Sequence, residues 1–109
     1  MGEIMRNQSA ATTLTCKDGS RPRILLAEDS DAARLLTAAL IRRMGCEVDS
    51  VEHGEEAVDF AKAQRYSIII LDIEMPVMDG IAAAREIRAL GGHAAGTPII
   101  ALSAFLADT

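Results

Sequence analysis

The stretch "SIIILDIEMPVMDG" occupies Ser67–Gly80. Three isoleucines and a leucine run straight into Asp72, and a proline and an Asp79–Gly80 pair follow. A short continuous apolar run closed by turn residues is the mark of a strand buried on both faces. Burying an unpaired carboxylate is expensive. Asp72 is therefore either a boundary residue at an exposed strand end or a charge around which other groups gather.

On either side of this run the same pattern repeats. "RILLAE" from Arg23 reads as a first buried strand, "CEVDSVE" as a second, "SIIIL" as the third and "TPIIALSA" as the fourth. Amphipathic segments separate them. In "DSDAARLLTAALIRRMG", Ser30 or Asp31 is the N-cap and Gly45 the stop, and the fourfold spacing of Leu36, Leu40 and Met44 predicts a core stripe. In "GEEAVDFAKAQR", Ala57, Val58 and Ala61 face inward. "GIAAAREIRALGG" is a third helix closed by Gly91–Gly92, and "GGHAAGT" reads as a loop. Residues 1–21 are polar and small without useful periodicity, and read as a tail or linker whose "KDGSRP" makes the turn into the first strand. Residues 22–109 then form one α/β domain in the order β-α-β-α-β-α-β, a doubly wound parallel sheet with helices on both faces.

Composition narrows the function. The chain has 109 residues, half of them hydrophobic but only 3% aromatic, so the core is aliphatic. Its net charge of −5 argues against nucleic acid as a partner, since that needs positive charge to replace phosphate counterions. Cys16 and Cys46 match no metal or redox spacing and read as reduced thiols. No run is long enough to span a bilayer and no secretory leader is evident. The expectation is a cytoplasmic domain without direct membrane contact.

In parallel sheets of this kind, function collects at the carboxyl ends of the strands. Those ends carry Glu28–Asp29, Asp72 and Ser103. Acids at strand ends commonly do no more than cap helices, but here separate loops deliver matching residue types to one edge. Three neighbouring carboxylates repel one another, and a divalent cation relieves that repulsion. An all-oxygen set without Cys or His suits Mg²⁺. Such a site, with a hydroxyl beside it, fits phosphoryl chemistry with an aspartate as nucleophile. His53 reads as a turn residue and His93 as a loop residue, neither placed to act chemically.

These residues carry a resemblance. "ILLAEDSDAARLL", "LDIEMPVMDG" and "TPIIALSA" resemble the acidic-pair, phosphoacceptor and switch segments of the receiver domains of two-component response regulators, from Arg23 to about Ala107. The resemblance implies a flavodoxin-like fold with strand order 2-1-3-4. It implies that Asp72 accepts a phosphoryl group from a phosphohistidine, and that Asp29 ligates Mg²⁺ directly. Glu28 would act through metal-bound water and Glu74 would offer its backbone carbonyl. Ser103 would bind a phosphoryl oxygen as the switch residue. Met75, Pro76, Asp79 and Gly80 would shape the loop, proline by fixing φ and glycine by relaxing it. The implied partner is a histidine kinase or histidine phosphotransfer protein, docked on an apolar patch of Ala32, Leu35 and Ala39.

The family's domain continues with a further helix, a strand bearing a lysine and an aromatic, and a last helix. This chain stops at Thr109, and no lysine follows Lys62. The expectation is a domain truncated at its C-terminus, whose open fourth strand and uncovered apolar face would favour a swapped or non-native dimer. The wording of the segments resembles the C-terminal receivers of hybrid histidine kinases, with a free-standing regulator as the other context. A phosphate-independent docking module and a Mg²⁺-dependent aspartyl phosphohydrolase are the competing functions.

Overall fold

The computed structural model describes residues 4–6, for backbone only, together with 14–75 and 78–102. Two short strands, β1 (Ile4–Arg6) and β2 (Leu14–Cys16), pair antiparallel. Then follow β3 (Arg23–Ala27), α1 (Asp31–Arg43), β4 (Glu47–Val51), α2 (Gly54–Ala63), β5 (Ile68–Asp72), α3 (Gly80–Ala89), α4 (Gly92–Ala95) and β6 (Ile99–Leu102). The four later strands form a parallel sheet in the order β4-β3-β5-β6, the order that the resemblance implies.

The side-chain alternation of the strands sorts the core into two layers. Leu25 and Ala27 of β3 and Ile69 and Leu71 of β5 meet Ala57 and Ala61 of α2 and Ala83 and Ile87 of α3 in one buried cluster. Full burial of each of the larger aliphatic side chains stabilises the fold by about 1.5–3 kcal/mol. Ile24 and Leu26 point to the opposite layer, where α1 packs on β3 and β4.

The termini of α1 follow its sequence. Ser30 is the N-cap and its hydroxyl accepts from the Ala33 amide at 3.3 Å. Gly45 adopts φ 92°, so the chain reverses where a side chain would be strained. The orientation of the helix differs from the expected stripe. Leu36, Leu40 and Met44 are 62%, 51% and 38% exposed, and the buried residue is Ala38 at 2%. The helix rests on the sheet through the face of Arg34 and Ala38, and its small Ala38 lets it approach closely. Fourfold spacing identified an apolar surface, but α1 carries apolar residues around more than one face and the spacing did not say which one the sheet takes.

Two segments have more structure than expected. The polar N-terminal stretch carries the β1–β2 pair, anchored where the Leu14 amide donates to Met44 O at 2.6 Å. The "KDGS" turn is held by Asp18, which accepts from the Ser20 amide and hydroxyl, lowering its carboxyl pKa. "GGHAAGT" contains the single turn α4 rather than a plain loop. His93 Nε2 lies 3.1 Å from the carbonyls of both Ala61 and Gln64, joining α4 to the end of α2, and Arg88 binds the carbonyls of Ala94, Ala95 and Thr97. Among the described residues no helix is long and apolar enough to cross a membrane.

Gly80 is set by space and not by backbone freedom, which corrects the reading of its role. Its φ is not positive, but an added Cβ would collide with the carbonyl of Asp72. Gly80→Ala is expected to cost about 1–3 kcal/mol in urea denaturation, as overpacking against backbone does. Gly96→Ala, with open space around the site, is expected to stay within about 0.5 kcal/mol.

Candidate functional site

The register of the sheet assembles the site. Ala27 of β3 pairs with Leu71 of β5 and with Val51 of β4, so the next residues, Glu28, Asp72 and Glu52, leave the sheet side by side. The Glu28 amide donates to Val51 O at 3.0 Å and continues the ladder one step past the strand. Glu28, Asp29 and Asp72 each offer a carboxylate oxygen, and the three oxygens lie within 4.8 Å of one another. The structure thus brings together the three acids singled out in the sequence.

Their environments differ. Asp72 is only 8% exposed, Glu28 is half-buried and Asp29 is exposed. Asp72 Oδ1 accepts from the Glu74 amide at 3.1 Å, which turns the chain back over the end of β5. The Gly80 amide then closes the loop on Ile73 O at 3.2 Å. Glu28 Oε1 accepts from the Ser30 amide at 3.1 Å. Even so, the Glu28 carboxyl is held above its ordinary pKa. Burial is the main cause, opposed by the Ser30 amide, and the Asp72 and Asp29 carboxylates add to the rise.

The loop after Asp72 is packed. Met75 is buried in the core cluster and Met78 lies against it. Asp79 is the N-cap of α3, its carboxylate accepting from the Ala82 amide at 2.8 Å. Gly54 at the start of α2 lies so close to this loop that an added Cβ would stand 2.5 Å from Met78 O. The Glu74 side chain is exposed. Pro76 and Ser103 lie outside the described residues, while Leu102, immediately before Ser103, pairs with Asp72.

Two features escaped the sequence reading. Arg34, nearly buried, donates through one amino group to Glu28 O at 2.9 Å and through the other to Asp31 and to Glu52 Oε1 at 3.3 Å. It ties both acidic loops to α1. The signal was an arginine on the inner face of a helix, one turn after its cap. The second is a group of Glu52, His53 and Glu56 with ligand atoms within 4.8 Å of one another. Glu56 there accepts from the Glu52 amide at 3.2 Å, as a residue at a helix start does.

The donor set is three carboxylates with no thiol or imidazole, and only one residue of it is deeply buried. Such a set fits a hard divalent cation that keeps several waters.

The chain belongs to the response regulator receiver domain family, whose model matches residues 24–109. It is a receiver module of two-component phosphorelay signalling. It is 38% identical over 85 residues to the sensor protein GacS of Pseudomonas syringae pv. syringae, covering 76% of this chain and 9% of that protein. The receiver domain of the sensor histidine kinase PA1611 from Pseudomonas aeruginosa, with magnesium coordinated in its active site cleft, superposes at TM-score 0.74 and 41% identity, over 78% of this chain and 69% of that one. The response regulator TrrA of Thermotoga maritima, in complex with Mg²⁺ and a beryllofluoride, superposes at TM-score 0.70 and 37% identity, over 76% of this chain and 70% of that one.

The raised pKa of Glu28 has a consequence for stability. A carboxyl whose folded pKa exceeds its unfolded one stabilises the fold while protonated, and that contribution is lost as pH rises through the folded value. In chelator-treated protein, Glu28→Gln is expected to melt slightly above wild type at pH 7, with the gap closing at pH values below the ordinary glutamate range. Melting curves at the two pH values check it.

Proposed function

We propose that Asp72 is the phosphoacceptor of this receiver and takes its phosphoryl group from a phosphohistidine on a partner protein. The observation that carries the reading is the meeting of Glu28, Asp29 and Asp72 at the carboxyl end of the sheet. In the transfer, a carboxylate oxygen of Asp72 forms the new P–O bond while the P–N bond to histidine breaks. The histidine nitrogen keeps the electron pair and takes up a proton.

Asp29 and Asp72 would hold Mg²⁺ directly, Glu28 through water, and Glu74 through its backbone carbonyl. When bound, the cation neutralises charge on the carboxylates and on the incoming phosphoryl oxygens. The magnesium of the PA1611 receiver and the Mg²⁺ of TrrA support this assignment. The Glu74 amide holds Asp72 Oδ1 in place. Ser103 would bind a phosphoryl oxygen and carry the state of Asp72 to the neighbouring surface. Pro76, with Met75, Asp79 and Gly80, would fix the loop.

The partner would be a histidine kinase or phosphotransfer protein, docked by its helices on α1. Ala32, Leu35 and Ala39 are all exposed there, Leu35 at 69%. The parent would be a hybrid histidine kinase with this domain in the cytoplasm. The chain spans 9% of the length of GacS, and PA1611 too is a sensor histidine kinase.

Beryllofluoride with Mg²⁺ is expected to shift the amide resonances of Asp72, Glu74 and the loop to Gly80. Asp72→Asn should abolish the response, and Asp29→Asn should weaken Mg²⁺ binding by at least roughly tenfold, since losing even an outer-shell partner costs that much. A wild-type spectrum unmoved by beryllofluoride would favour the phosphate-independent docking module. For the docking face, Leu35→Glu should slow phosphotransfer from a cognate phosphohistidine by about tenfold or more, as losing a central apolar contact does. The beryllofluoride response of that variant should stay intact.

A further inference from the structure

The sheet has a second functional candidate at its amino-terminal edge, away from the acidic site. An open pocket of about 600 Å³ lies there, walled by the turn after β2, the entry to β5 and the α4 segment. Three arginines line it, Arg21, Arg23 and Arg65, against one acid, Asp18. Asp18 is already committed to Ser20 through two hydrogen bonds. Arg21 and Arg65 have no hydrogen-bond or ion-pair partner among the described residues, and both are exposed. Arg23 uses only its Nε, on Asp49 Oδ2 at 3.2 Å, so its two amino groups remain for a ligand. Asp49 also accepts from the Tyr66 hydroxyl at 2.7 Å, which fixes the carboxylate that orients Arg23.

A neighbouring pocket shares Arg21 and Arg23 and adds Arg42, but Glu47 and Asp49 line it too, so the excess of cations over acids falls on the first pocket, in a chain that as a whole carries −5. A guanidinium fork matches phosphate and carboxylate oxygens, and three forks on one pocket suit an anion with more than one charged centre. Gly92 and Gly96 also line the pocket, with no atom within 4 Å of where a Cβ would stand, so no side chain narrows it there. The volume lies within the range of small-molecule sites and is far larger than one phosphate needs. Repulsion from the acidic edge is weak here. Five residue steps lead from Ser67 to Asp72, about 17 Å at a strand's rise, well beyond the Debye length of roughly 8 Å at physiological salt.

We propose that this pocket binds a small soluble ligand carrying two or more linked phosphates, held by Arg21, Arg23 and Arg65. The site lies at the start of the strand that ends on Asp72, and it stands independently of the phosphoacceptor assignment.

The test is a titration of the full chain without Mg²⁺, at constant ionic strength, with inorganic phosphate, pyrophosphate, tripolyphosphate and a nucleoside triphosphate in separate arms. Amide resonances report the binding. Saturable shifts at Ser67, Gly92 and Gly96 are expected with pyrophosphate and tripolyphosphate, at least tenfold tighter than with inorganic phosphate. A tighter nucleoside triphosphate would show that the ligand's organic part is also read. The double variant Arg21→Gln/Arg65→Gln should weaken binding by tenfold or more, and Asp72→Asn should leave it unchanged. Circular dichroism confirms that the double variant is folded, since both side chains are exposed. Linear shifts without saturation, or equal binding by the double variant, would overturn the proposal.

Discussion

Parallel pairing of β3 with β5 is the constraint on which the site rests. Ala27 pairs with Leu71, so the chain has no choice but to deliver Glu28 and Asp72 to the same edge. The aliphatic core fixes that register, because a slip of one residue would turn Leu25 and Leu71 out of their layer and bring their neighbours in. The cost of the arrangement is electrostatic. Glu28, Asp29 and Asp72 repel one another, and the fold stabilises the acids only partly, through the amides of Ser30 and Glu74. An edge built from close acids without enough internal donors is more stable with a cation than without one.

Rigidity around Asp72 comes from contacts that leave little room. Gly80 lies on the Asp72 carbonyl and Gly54 on that of Met78, and Met75 fills the core beneath the loop. Asp79 starts α3 at a fixed distance from β5 by capping it. The strand end, the loop and the N-termini of α2 and α3 therefore form one packed unit. Charge added at Asp72 would act on these packed residues, the kind of contact through which a local electrostatic event becomes a change of surface.

The parallel sheet and the three acids were legible in the sequence, because each rests on local patterns, while the strand order came from the family resemblance. Apolar runs of strand length alternate with capped amphipathic segments, and Asp72 stands at the end of the most apolar run. What was not legible depends on three-dimensional packing. The face of α1 that meets the sheet is chosen by the small Ala38, while the larger Leu36 and Leu40 stay exposed. The need for Gly80 follows from the proximity of a carbonyl eight residues earlier, which a reading of turn propensity cannot see. Arg34 joins α1 to the loops of Glu28 and Glu52, a link between segments that no local pattern announces. The β1–β2 pair escaped because its strands have three residues each, too short for a period to register.

The charge distribution of the finished sheet is polarised. Its carboxyl edge carries Glu28, Asp29, Glu52, Asp72 and Glu74 with Arg34 among them, and its amino edge carries Arg21, Arg23 and Arg65 with Asp18 and Glu47. Backbone geometry favours this sense at neither end by itself, since sheets have only small net dipoles. The separation comes from side chains at the strand ends and in the loops beside them. Over about 17 Å at physiological salt the two sets barely interact by Coulomb forces. β5 runs between the two edges: Tyr66 and Ser67, just before it, line the arginine pocket, and its last residue is Asp72. With Ile69 and Leu71 fully buried, the strand between them is fixed by close packing on its core face.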